Sequence, residues 1–354
     1  MAAGTGGNGA GERGAAQRAT AQRGVGERGA GRGGRTARGW RAALIPAQEG
    51  RTAVVTGANS GIGYVAAREL ARHGAHVVLA CRSERRGADA VARLLSEVPG
   101  AHAEFSPLDL GDLASVREFA ARHVRRPVGV LLNNAGVMAT PFARTADGFE
   151  RQFGVNHLGH FALTGLLLPA LLRAPDSRVV TVSSQTHVFG TIDPRDLDSA
   201  RHYRRWLAYG RSKTANLLFT HELARRLEAA GADTVAAAVH PGFARTNLQT
   251  SAVREEGRRF AERLAALGTR LVGQSAEAGA LPSLYAATAP GVAQDSFTGP
   301  RFLMWRGAPA PSWRAPWTRD DETARRLWTA SEELTGVRYA LPEPGRDASR
   351  DARF

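Results

Sequence analysis

Short β-branched runs alternate with longer helix-period segments along most of the chain. That alternation constrains the fold to consecutive βαβ units, in which parallel strands share one sheet covered by helices on both faces. Thr52 to Val55 reads as the first strand. The helix from about Ile62 to His73 carries Ile62, Val65, Ala66 and Leu70 on one face, and Gly74 is placed to end it. His76 to Ala80, Ala103 to Phe105, Gly129 to Leu132, Arg178 to Val182 and Thr234 to Val239 continue as strands with helices between them, and Arg301 to Met304 adds a seventh. Asp320 to Leu334, acidic at its start and with Leu327 and Leu334 two turns apart, reads as a last amphipathic helix. The expectation is one α/β doubly wound domain with a seven-stranded parallel sheet over residues 41–340. A disordered Gly/Ala/Arg-rich tail over 1–40 precedes it and a frayed tail over 341–354 follows.

Behind the first strand, Thr56-Gly57-Ala58-Asn59-Ser60-Gly61-Ile62-Gly63 opens directly into the first helix. Glycines let the backbone approach a pyrophosphate, while the exposed N–H groups and dipole of a helix start favour its negative charge. Gly57, Asn59, Ser60, Gly61, Ile62 and Gly63 are therefore candidate cofactor contacts on a Rossmann-like sheet. A tight structural turn is the plainer reading, and the position between first strand and first helix weighs against it. The second strand ends at Cys81-Arg82-Ser83, where such folds meet the adenosine ribose. An acid there would accept the 2′-hydroxyl, whereas the planar cation of Arg82 suits a phosphate, so NADP is favoured over NAD.

Tyr209 and Lys213 lie four residues apart at the start of a helix-period segment running to about Leu227, which puts both side chains on one face. A tyrosine hydroxyl has an ordinary pKa of about 10 and is a poor base at neutral pH, and an adjacent ammonium stabilises its phenolate. Tyr-x-x-x-Lys is common on solvated helix surfaces. This chain, however, uses Arg for every other fixed positive charge and keeps its one lysine at position 213. Val179 to Ser184 ends the fifth strand in Ser183-Ser184, where a hydroxyl can polarise a carbonyl or alcohol oxygen. Neighbouring strand residues point in opposite directions, so only one of the two serines can serve.

These motifs together resemble the short-chain dehydrogenase/reductase superfamily, from about Arg51 to Tyr339. The resemblance implies that Ser184 is the catalytic serine, with Ser183 as the alternative, alongside Tyr209 and Lys213. It also implies that Asn156 holds a water in the proton relay. Asp109, followed by Leu110, is implied at the adenine. Asn133, Ala135 and Gly136 of the Asn-Asn-Ala-Gly motif are implied along the cofactor. The turn Pro241-Gly242, with Thr246 beyond it, is implied at the nicotinamide. Thr56 to Gly63, Ala80-Cys81-Arg82, the long Gln185 to Leu207 insertion, Asn216 to Phe219 and Ala324 to Trp328 are similar to the retinol dehydrogenase-like branch. Vertebrate members of that branch begin with an apolar anchoring stretch, where this chain has its Arg/Gly tail. The composition, rich in Ala and nearly all Arg among its cations, points to a GC-rich and bacterial source. The implied activity is interconversion of a small apolar alcohol and its carbonyl by hydride transfer. The pocket is expected from Val137 to Arg144, the Gln185 to Leu207 insertion and Phe243 to about Gln274, with Phe189, Trp206 and Phe243 as an apolar wall. Family members pair through the helices that carry Asn156 and Tyr209, which implies a homo-oligomer.

The remaining composition narrows the partners. Of the formal charge of +14, +6 sits in residues 1–41 and the rest is spread over many segments, as on ordinary helix surfaces. The tail reads as solvated chain rather than a nucleic-acid-binding arm, and it lacks the apolar stretch of a signal peptide. No run reaches the ~18 apolar residues of a membrane span, since Phe161 to Leu172 is short and contains Pro169. Cys81 is the single cysteine, so no intrachain disulfide forms and a cytoplasmic location is expected. The histidines show no metal-ligand clustering, and no metal is expected. A redox sensor that binds NADP without turnover is the main rival, and the intact Ser184, Tyr209 and Lys213 set argues against it.

Overall fold

The computed structural model describes residues 39–193, 196–198, 202–242 and 274–342. Among these, eight strands form one sheet: β1 Thr52–Thr56, β2 His76–Cys81, β3 His102–Pro107, β4 Val130–Asn133, β5 Arg178–Val182, β6 Val235–Val239, β7 Phe297–Phe302 and β8 Arg306–Pro311. Their order is β3-β2-β1-β4-β5-β6-β7-β8, parallel throughout except for the last pair. The order reverses between β1 and β4, and the crevice outside the carboxyl ends of those strands is where such sheets bind ligands.

The count corrects the expected seven strands, and the seventh lies at Phe297–Phe302 rather than at Arg301 to Met304. Leu303 and Met304 are instead the first two residues of the three-residue turn of the β7–β8 hairpin, with positive φ of 48° and 57° and a bond of 2.8 Å from the Trp305 amide to the Phe302 carbonyl. Positive φ in a hairpin turn ordinarily falls to Asn or Gly, so an apolar Leu-Met pair reads as strand. The edge strand β8 has Pro309 and Pro311 in it, which an edge tolerates because one side of its ladder is unpaired.

Helices α1 Gly61–Arg72, α2 Glu84–Glu97, α3 Leu113–His123, α4 Arg151–Leu172, α5 Arg205–Ala229, α6 Ala276–Thr288 and α7 Asp321–Thr335 cover the sheet. One core packs α1 and α6 on Val55, Val77, Leu132 and Val239, and Trp40 joins it edge-on to Tyr285 at 5.5 Å. The opposite core packs α3, α4 and α5 on Val54, Val78, Leu131 and Val179, and Trp328 of α7 closes it. Helix α4 runs from Arg151 through Pro169, longer than the Phe161 to Leu172 stretch that stands out in the sequence. Its length and composition would suffice to cross a membrane, yet 78% of its apolar window is buried within the domain. A helix apolar on all sides is what a position between sheet and outer helices requires.

Candidate active site

At the end of β1 the chain enters a left-handed turn at Gly57 (φ 67°) and again at Gly61 (φ 57°), the first residue of α1. A Cβ on Gly57 would stand 3.0 Å from the Ala135 backbone, and one on Gly63 would stand 2.6 Å from the Gly57 carbonyl oxygen. Both positions therefore need glycine for the loop to lie against the 134–135 turn. Ser60 caps α1 in extended conformation without a capping hydrogen bond from its hydroxyl. The first-turn amides are thus left to an incoming anion, which fits a dinucleotide pyrophosphate. Asn59 and Ser60 are half-buried at this turn, while the side chain of Ile62 belongs to the core, so only its backbone faces the loop.

Arg82 stands at the end of β2, 73% exposed, with Asp109 Oδ2 at 3.9 Å. Gly57 N–H donates to the Ala80 carbonyl at 2.8 Å, so Arg82 lies two residues beyond the strand position that meets the glycine loop. Asp109 Oδ1 accepts the Gly111 amide at 2.9 Å and so shapes its own turn. Leu110 is buried, and its carbonyl leaves no room for a side chain at Gly159. Asn133 is buried and donates to Thr164 on α4 at 3.0 Å. Its neighbour Asn134, the second asparagine of the same motif, does the bridging: its Nδ2 donates to the Thr56 carbonyl at 2.8 Å. The Thr56 hydroxyl accepts the amides of Asn134 and Ala135, each at 2.9 Å, and meets His160 Nε2 at 2.9 Å.

The reacting groups lie at the carboxyl ends of β4 and β5. Tyr209 and Lys213 occupy the first turns of α5, both buried. Lys213 Nζ donates to the Val182 carbonyl at 3.0 Å and lies 5.7 Å from the Tyr209 ring centroid. Burial pushes the Tyr209 phenol up to about 12, against the opposing pull of the Ser184 hydroxyl. Burial pushes Lys213 down to about 8. The ammonium is thus engaged by the end of β5 in this state, and the phenol is held neutral. The two serines part company: Ser183 Oγ donates to the Lys213 carbonyl at 2.8 Å, whereas Ser184 is the one that pulls on the Tyr209 phenol.

Asn156 sits in a π-turn, Gly154–Leu158, inside α4. Its Oδ1 accepts the Val137 amide at 2.7 Å and its Nδ2 donates to the Val137 carbonyl and to Ser212 Oγ, both at 2.9 Å. Gly136 makes room for it, because a Cβ there would lie 3.0 Å from Asn156 Oδ1 and 3.6 Å from Lys213 Nζ. At the end of β6, Gly242 N–H donates to His240 Nδ1 at 3.2 Å, and the backbone of Trp305 packs where a Gly242 side chain would be. The hairpin tip therefore covers the Pro241-Gly242 turn. Thr246 and Phe243 lie outside the described residues.

Sequence reasoning missed the residues that fasten the insertion. Gln152 Oε1 accepts the Ala139 amide at 2.7 Å and its Nε2 donates to the Tyr203 hydroxyl at 2.7 Å, and that hydroxyl donates to the Thr140 carbonyl at 2.8 Å. Gly190 packs directly on Gly210, beside Tyr209, where a Cβ would be 2.4 Å from the Arg211 nitrogen. His187 joins the Ser184 carbonyl at 2.7 Å to the Ala315 amide at 3.1 Å. Around this mouth Phe142, Phe189 and Trp206 are exposed.

A short chain dehydrogenase family model matches residues 51–257. Human retinol dehydrogenase 12 is 42% identical over 295 residues, covering 82% of this chain and 88% of that protein. Mouse polyprenol dehydrogenase is 44% identical over 312 residues, covering 86% and 89%. Among solved structures, an uncharacterized protein from Mycobacterium paratuberculosis superposes with a TM-score of 0.72 at 46% identity, covering 86% of this chain and 100% of that one.

Proposed function

The chain belongs to the short chain dehydrogenase family, in its retinol dehydrogenase-like branch, and we propose that it is an NADP-dependent enzyme interconverting an apolar alcohol with its aldehyde or ketone, Tyr209 exchanging the proton. The observation that carries this reading is the half-buried Ser184 hydroxyl set against the buried Tyr209 phenol, one helical turn from the chain's single lysine.

A bound nicotinamide supplies or accepts the hydride. The chain's own residues do the rest. Tyr209 gives its proton to the substrate oxygen in reduction and takes it back in oxidation. Ser184 donates a hydrogen bond to the same oxygen and steadies the charge that develops there. Lys213, lowered by burial to about 8, still holds its proton at neutral pH, and that ammonium favours the tyrosinate; the same Nζ would hold a ribose hydroxyl of the bound dinucleotide. Asn156 fixes the Val137 backbone and the Ser212 side chain behind them.

Arg82 supports NADP, since a guanidinium at the end of β2 suits a 2′-phosphate and its contact with Asp109 is too long and too exposed to occupy it. The apolar rim of Phe142, Phe189 and Trp206 supports an apolar substrate. Together with relatives named for retinol and polyprenol, it favours a long isoprenoid-like primary alcohol or its aldehyde.

The test is a panel of apolar alcohols and aldehydes assayed with NADP(H) and with NAD(H). Turnover with the phosphorylated cofactor is expected, with a loss of about 10³-fold in Tyr209→Phe. No turnover anywhere on the panel, or a Tyr209→Phe enzyme as fast as the parent, overturns the reading.

A further inference from the structure

We propose that His187 is a positioning residue for the reaction: its neutral imidazole ties the Ser184 turn to the C-terminal segment and so aims the Ser184 hydroxyl at Tyr209. The inference rests on the function proposed above and names a residue that the reading does not use.

The argument begins with which ring nitrogen carries the proton. The Ala315 amide can only donate, and it lies 3.1 Å from Nε2, so Nε2 must present its lone pair. Nδ1 then bears the proton and donates to the Ser184 carbonyl at 2.7 Å. Protonating the ring would set N–H against N–H at Ala315. Burial, aided by the nearby Arg314 charge, lowers the pKa of His187 and keeps it neutral. The ring is packed edge-on to Phe297 at 5.7 Å and beside Trp313 at 6.2 Å, so it has little freedom to turn.

The consequence for Ser184 follows from its remaining bonds. Ser184 opens the 3₁₀ turn Gln185–Phe189, and its Oγ accepts the Thr186 amide at 3.2 Å. With one lone pair so engaged, the hydroxyl proton is left for Tyr209 or for a substrate oxygen. The other end of the turn is fixed as well, because the Thr214 hydroxyl meets the His187 carbonyl at 2.9 Å, one residue after Lys213. The turn is thus clamped to the segment at Ala315 by the His187 side chain and to α5 by its backbone. A catalytic group displaced by about 1 Å costs on the order of 100-fold in rate.

Three substitutions separate the two imidazole bonds. The carboxamide of His187→Asn can donate where Nδ1 does but cannot reach Ala315, His187→Gln can accept where Nε2 does but leaves Ser184 without its donor, and His187→Ala removes both. The expected result is a kcat lower by roughly 100-fold in the Ala and Gln proteins and by no more than about tenfold in the Asn protein. NADPH affinity, read by fluorescence without turnover, should be unchanged in all three. Losses that fall equally on Asn and Gln, or that track cofactor affinity or Tm, would reduce His187 to a packing residue and overturn the proposal, as would wild-type kcat in His187→Ala. A parent enzyme without turnover on any substrate sinks the function instead. The tether is then still decided by the imidazole ¹⁵N spectrum at neutral pH. An Nδ1-protonated neutral ring supports it, and an imidazolium or an Nε2-protonated ring overturns it.

Discussion

At the nucleotide end of the site the backbone does the positioning, with Gly57 and Gly63 pressed against the 134–135 turn. At the reacting end side chains do it: Tyr209, Lys213 and Asn156 are buried, Ser184 is half-buried, and their partners lie far along the chain. A loop built from consecutive glycines needs only its own spacing and the helix behind it. Polar groups withdrawn from water must each find a partner, because an unpaired buried donor or acceptor costs about 1–3 kcal/mol. The two ends should therefore fail differently: damage to the first weakens cofactor binding, and damage to the second lowers turnover with the cofactor still bound.

Lys213→Arg probes that division most strongly. The charge is kept, but a planar guanidinium on a longer stem cannot occupy the buried site where Nζ meets the Val182 carbonyl. Turnover should fall by about 100-fold or more. An arginine enzyme within a few-fold of the parent would mean that position 213 contributes only charge. A glycine pair sharpens the contrast. Gly63→Ala and Gly190→Ala each place a Cβ within 2.6 Å of backbone, and each should cost about 1–3 kcal/mol of stability through forced displacement. Their kinetic effects should diverge, with Gly63→Ala raising the Kd for NADPH and Gly190→Ala lowering kcat. Identical kinetic profiles in the two proteins would erase the distinction between the ends.

Most of the nucleotide end was legible in the sequence, and the reason is locality. Thr56 to Gly63 announces its turn and its helix within eight positions. The hairpin was not legible, because Leu303 and Met304 adopt a turn conformation their side chains disfavour and Pro309 and Pro311 disguise an edge strand. At the reacting end the residues were nameable but their supports were not. His187 meets Ala315 across 128 positions and Gln152 meets Tyr203 across 51, and no local pattern encodes either. The sequence sets the tyrosine and lysine on one helix face, and in the structure the lysine is bonded to the strand end while the phenol faces Ser184.

A smaller effect belongs to the nucleotide end. Arg82→Ala should lower the preference for NADPH over NADH by about tenfold, the loss of one charge-assisted contact at an exposed position, with kcat on NADPH little changed. An unaltered ratio of kcat/KM for the two cofactors would move the discriminating charge elsewhere.

The smallest expected effect lies outside both ends, where the reacting helix is tied to the C-terminal helix. His221 on α5 donates from Nδ1 to Asp295 and from Nε2 to Asp321 at the start of α7, each at 2.8 Å. Both bonds can exist at once only if the ring is an imidazolium, and the bonds to Asp295 and then to Asp321 raise its pKa despite partial burial. A histidine whose folded pKa is raised contributes its full stabilisation below the unfolded value of about 6.5 and loses it as pH rises through the folded value. Thermal melts from pH 6 to pH 9 should therefore show the parent losing Tm as pH rises, by no more than about 2–4 °C for a chain of this size. His221→Gln, which cannot titrate, should lack that part of the slope, so parallel curves would show that His221 is not the group responsible. Activity in the same series tests the comparison itself. The His221 tie holds α5 three turns beyond Tyr209, so kcat should keep its parental pH profile while Tm changes. A kcat that shifted with Tm would make the stability of the whole helix, rather than the local bonds around Ser184, the property that positions the phenol.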